Sequence, residues 1–145
     1  MNSVEIQALL TPLAQEFDCA SPAEIRSIET AVQAQLPGRY VAFLETRGSS
    51  MFSCEVQVIA ADGKALDLLT IFSASKVLGD LSDHADYAHS ALVPFADDAF
   101  NNRYLLHAPS GRVSFIEYSQ GQVRSVEVAQ SFDDFLKAIA EVSGE

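Results

Sequence analysis

The sequence predicts an α+β fold: a mainly antiparallel sheet flanked by N-terminal helices and a C-terminal helix. Three observations carry this. Framed helical stripes stand near the start, short alternating runs joined by tight turns fill the later half, and a capped apolar helix closes the chain. Strands linked by turns of a few residues must be antiparallel neighbours, because parallel crossovers need a dozen residues or more.

From Ser3 to about Phe17, the residues Val4, Ile6, Leu9, Leu10, Leu13 and Phe17 recur at the spacing of an amphipathic helix, with Pro12 set to kink or split it. A second helix is better marked. Ser21 is placed as N-cap, Pro22 at the first helical position and Glu24 as the capping-box partner. Ile25, Ile28, Val32 and Leu36 form its apolar stripe, and Leu36-Pro37-Gly38 stops it. A short third helix follows over Arg39 to Thr46, with Tyr40, Phe43 and Leu44 inward and Gly48 as its break.

Phe52 to Ala60 alternates with a period of two and reads as a half-buried strand. Ala61-Asp62-Gly63 turns the chain into a returning strand over Ala65 to Phe72. The segment Gly48-Ser49-Ser50-Met51 reads as a loop, and Ser75 to about Asp86 as weakly helical or irregular and acidic. Further strands are expected over Leu92 to Phe95, Arg103 to His107, Arg112 to Tyr118 and Val123 to Val128. Ser131 then caps a last helix, with Asp134 at N3 and Phe132, Phe135, Leu136 and Ile139 on its buried face.

With 145 residues, no repeat and no linker, the expectation is one domain over 1–145. Hydrophobic residues make up 48%, enough for a core without a metal or disulfide staple. Cys19 and Cys54 have no ligand or framework spacing and read as reduced, packed thiols, which points to the cytoplasm. Met1-Asn2-Ser3-Val4-Glu5 lacks a basic leader region, and no apolar run is long enough to span a membrane.

Charge is the strongest compositional signal: 9 basic against 20 acidic residues, a net −11. That sign opposes nucleic-acid and anionic-membrane binding and favours a basic protein partner, though solubility alone also selects acidic surfaces. The aromatic residues are not interleaved with basic ones, so base stacking is disfavoured and core placement expected. His84, His89 and His107 with nearby aspartates allow a metal-dependent enzyme as a rival reading, but His84 and His89 are five apart, the wrong spacing for a helical zinc pair. No Walker loop, dinucleotide fingerprint or nucleophile elbow is present. Asp97-Asp98 reads as a turn pair whose side chains serve backbone amides rather than acid–base work. No cofactor is expected. The stretch holding Asp80, Asp83, Asp86, Asp97 and Asp98 contains no Lys or Arg between its ends, and is either a solvated face or a patch that meets a basic protein.

Leu36, Pro37, Tyr40, Phe43 and Leu44, then Pro94-Phe95-Ala96-Asp97-Asp98, then Ser131, Phe132, Phe135 and Leu136 stand in an order and spacing that resemble the SUKH superfamily. The likeness runs from about Ser21 to Ile139. Ala99-Phe100-Asn101-Asn102 stands where that group usually has a glycine-rich turn, and Thr46-Arg47-Gly48 where it often has Asn-Gly. The resemblance implies a binding role rather than an enzyme. The group contains fungal cell-wall-synthesis regulators and bacterial immunity proteins that neutralise polymorphic toxins, often nucleases. The expectation is therefore a cytoplasmic immunity protein docking a basic toxin domain through Asp80, Asp83, Asp86, Asp97 and Asp98. A regulatory or scaffold module of the same fold is the alternative.

Overall fold

The computed structural model describes residues 14–17, 19–46, 49–119 and 121–141. Helix α1 (Pro22–Val32) has the expected capping box: the Glu24 N–H donates to Ser21 Oγ at 3.2 Å, and the Ser21 N–H donates back to Glu24 Oε1 at 3.1 Å. Ile25, Ile28 and Val32 are its buried stripe. Gln33 ends it in the left-handed region at φ 54°, where the cap N–H reaches back to the carbonyls of Glu29 and Thr30. Helix α2 (Gly38–Thr46) buries Tyr40, Phe43 and Leu44.

Strands β1 (Ala14–Phe17), β2 (Ser49–Ile59), β3 (Ala65–Ile71), β4 (Leu92–Asp97), β5 (Arg103–His107), β6 (Val113–Ser119) and β7 (Gln122–Ala129) follow one another in a single antiparallel sheet in chain order. Helices α3 (Ala74–Asp83) and α4 (Ala85–His89) are inserted between β3 and β4, and both pack against α1 and β4. Helix α5 (Phe132–Lys137) leads into β8 (Ile139–Glu141), which pairs with β2 beyond the stretch that β1 covers. Strands β3 and β4 meet only at Thr70–Asp97 and Ile71–Ala96, so the first half of β3 has β2 on one side and a groove on the other.

Several expectations need correction. Ala14–Phe17 is not the end of a helix but a strand in register with Ser49–Phe52; residues 1–13 of that expected helix lie outside the described residues, as does Gly48. Ser49–Met51 is strand rather than loop, because β1 pairs with it. Ser75 to about Asp86, expected to be weakly helical or irregular, falls in two helices, α3 and α4, with a break at His84; α3 is capped by Ser73, whose Oγ accepts the Lys76 N–H. Ile139 is buried on β8 rather than on the last helix. Cys19 is exposed and free, while the side chain of Cys54 lies outside the described residues. Among the described residues, no helix is long and apolar enough to cross a membrane.

Aromatic rings from four elements form the centre of the core. Phe95 on β4 contacts Tyr40, Tyr104, Phe132 and Phe135, with centroid separations of 4.9 to 6.4 Å. Its contact with Phe135 is edge to face at 84°, the arrangement that ring quadrupoles favour. Phe95→Ala is therefore expected to cost about 3–5 kcal/mol in urea denaturation. Ser21→Ala, losing only a cap, is expected to cost about 1 kcal/mol. Equal losses for the two would contradict this placement of the core.

Candidate functional site

Loop 98–102, between β4 and β5, is assembled around one carboxylate. Asp98 is 5% exposed. Its Oδ1 accepts the backbone N–H groups of Phe100 and Asn102, each at 2.9 Å, and its Oδ2 accepts Asn102 Nδ2 at 2.9 Å. Asn102 is itself buried, and its Oδ1 accepts the Tyr118 N–H at 2.8 Å, tying the loop to β6. Asn101 takes φ 66°, a left-handed conformation that Asn tolerates better than most residues.

Arg103 locks the loop from the other side. Its Nη1 donates to the Asn101 carbonyl at 3.1 Å and to Asn101 Oδ1 at 2.8 Å, while Nε donates to buried Asp80 on α3 at 2.7 Å. Lys76, one turn before Asp80, reaches its other oxygen at 3.3 Å. Both cations lie 5.4 Å from the centroid of the Phe72 ring. Removing one partner of such a buried pair leaves an uncompensated charge, which costs more than the pair contributes net.

The five aspartates singled out from the sequence divide accordingly. Asp80 and Asp98 are buried, with their oxygens engaged inside the fold. Asp83 and Asp86 are exposed on α3 and α4. Asp97, half-buried at the end of β4, lies between these groups. The stretch that is free of Lys and Arg in sequence is not so in space, since Lys76 and Arg103 approach from either side of it.

The histidines are separate features. His84 and His89 are exposed, His84 facing the Tyr87 ring at 5.2 Å, and His107 Nδ1 pairs with Ser110 Oγ at 2.7 Å. Among the described residues, no group of three or more His, Cys, Asp or Glu gathers in a way that would hold a metal ion.

Among the described residues, most rings are buried, as expected, with two exceptions. Phe100 is 75% exposed at the tip of the loop, and Tyr118 is 48% exposed on β6. Both line an open groove of about 410 Å³ with Lys64, Leu66, Asp67 and Glu117. The Tyr118 hydroxyl pairs with that of Tyr87 on α4, and the Tyr104 hydroxyl donates to the Asp67 carbonyl at 2.6 Å. In the sequence, Phe100 stands out only as part of a departure from a glycine-rich turn. An apolar ring among loop residues was the available signal.

Residues 19–138 match the profile of the SMI1 / KNR4 family (SUKH-1), and the chain belongs to that family. A comparison with curated proteins returned no match. The chain is thus a SUKH-type protein-interaction domain, and its α+β sheet architecture is consistent with that fold.

Asp97 supplies a pH dependence. Burial pushes its carboxyl up to about 6, and Asp98 adds to the rise, while Arg103, the Thr70 N–H and Lys76 oppose it. Its Oδ1 is buried with no hydrogen-bond partner. The folded state therefore holds this proton more tightly than the unfolded chain, and stability falls as pH rises from about 4 to about 6. Asp97→Asn is expected to raise stability at pH 7 by on the order of 1 kcal/mol, after allowance for its partial exposure, and to flatten that fall. Chemical denaturation at pH 4, 5, 6 and 7 measures both effects.

Proposed function

We propose that this SUKH-1 member is a cytoplasmic immunity protein that neutralises a basic toxin domain by covering it, without turning over a substrate. The observation that carries the reading is family membership combined with a net charge of −11. A nuclease must be basic where it grips nucleic acid, so an acidic protein is drawn to that surface and can block it sterically. Complementary potential acts mainly on encounter rate and on partner choice.

The aspartate patch takes different parts in this proposal. Asp83 and Asp86, being exposed, make the direct electrostatic contacts. Asp80, Asp97 and Asp98 contribute from behind, through the field and by holding α3 and loop 98–102 in place. The proposed binding unit is the whole chain acting as one domain.

The test is co-expression with a toxin domain encoded beside this gene, reading cell survival, followed by stopped-flow association with the purified toxin. Replacing both Asp83 and Asp86 with Lys is expected to slow association about tenfold at low salt and to flatten its salt dependence. Survival that does not depend on the protein would refute the immunity role. An unchanged association rate would refute the role of these two residues.

A further inference from the structure

We propose that the groove between loop 98–102, β3 and β6 is an anchoring site for a cationic side chain, arginine or lysine, of a partner protein. Phe100 and Tyr118 offer the ring faces, and Asp67 and Glu117 the counter-charges. The inference rests on reading the chain as a protein-binding domain and locates one of its contacts.

Exposure is the first argument. Phe43, Phe72, Phe95, Phe115, Phe132 and Phe135 are all buried, whereas Phe100 stands 75% exposed on a loop whose hydrogen bonds use its backbone N–H and not its ring. Interface anchors are enriched in such aromatic residues.

Preorganisation is the second argument. The Phe100 backbone is held by Asp98, the Tyr118 backbone by Asn102, the Tyr118 hydroxyl by Tyr87, and the Asp67 carbonyl by Tyr104. Three separate elements are thus pinned from behind around one open space. Rigid display lowers the entropy lost when a partner binds.

Charge selects the occupant. Asp67 is exposed and Glu117 half-buried in the lining, on a protein of net charge −11. A cation over an aromatic face with a carboxylate alongside satisfies both features, whereas an anion or an apolar chain satisfies only one or neither. Lys64 lines the same groove, and Arg124 stands opposite Glu117 in the β6–β7 ladder. Asp67 is therefore the more telling carboxylate to change.

The experiment uses four acetylated, amidated Gly/Ser peptides that differ only in a central Arg, Lys, Gln or Leu, titrated at millimolar concentration into the ¹⁵N-labelled full chain. The Arg and Lys peptides are expected to shift amides of residues 64–67, 98–102 and 117–118, and the Gln and Leu peptides are not. Phe100→Leu, which keeps an apolar side chain but removes the ring, is expected to weaken the binding read from the local shifts about two- to fivefold, as is Asp67→Asn. Each variant's own spectrum confirms that it is folded. No local shift, equal shifts with Gln, stronger shifts with Leu, or concentration-dependent self-association through these residues would each overturn the proposal. If the peptides fail while reversal of Asp83 and Asp86 still slows toxin capture, this site falls and the immunity reading stands.

Discussion

One guanidinium ties together β5, the inserted helix α3 and loop 98–102. Arg103 begins β5, yet its nitrogens reach α3 through Asp80 and loop 98–102 through Asn101 and Asn102. A planar, permanently charged fork makes these directed bonds at once, which the point charge of lysine cannot. Helix α3 is thereby fastened to β5, inside the sheet, and the loop that displays Phe100 is fastened with it. Without it, Asp80 would be a buried carboxylate held only by Lys76, whose side chain is half exposed.

Local charge balance explains why the arrangement is asymmetric. Asp80, Asp97 and Asp98 crowd near Arg103 and Lys76, so carboxylates outnumber cations. Asp80 takes the ion pair and Asp98 the backbone amides, leaving Asp97 with a backbone N–H and a buried oxygen that nothing satisfies. Its raised pKa is the result of that imbalance. The fold gives up stability near neutral pH to keep a tightly held loop beside an acidic exterior.

Much of the architecture was legible because it rests on local rules. The Ser21 and Ser131 caps, the helical stripe of Ile25, Ile28 and Val32, and the hairpin strands around Gly111 and Gly121 all appear where spacing put them. The misreadings arose where distant partners decide the outcome. Ala14–Phe17 carries helical spacing but pairs with Ser49–Phe52, more than thirty residues along the chain. Helix α3 reads as only weakly helical or irregular in sequence because an acid, Asp80, sits in the buried stripe between Val77 and Leu81, and what permits its burial is Arg103, 23 residues away. For the same reason the aspartate cluster looked uniform in sequence. Residue type tells that a carboxylate is present, but not whether it faces water or a guanidinium.

Charge and aromatic display solve different parts of a recognition problem. Long-range potential hastens encounter and screens out acidic partners, but it weakens with salt and discriminates poorly among basic surfaces. Residence time depends on short-range contacts that are lost when one group is misplaced. Asp83 and Asp86, exposed on short helices, suit the first task. Phe100, held by a buried carboxylate and set over a groove with its own counter-charges, suits the second. Because Asp98 and Arg103 rigidify this display from within, a substitution at either would loosen the anchor without touching the partner. Weakened binding by such variants would therefore arise from positioning, and the exposed ring and carboxylates would remain the groups in contact.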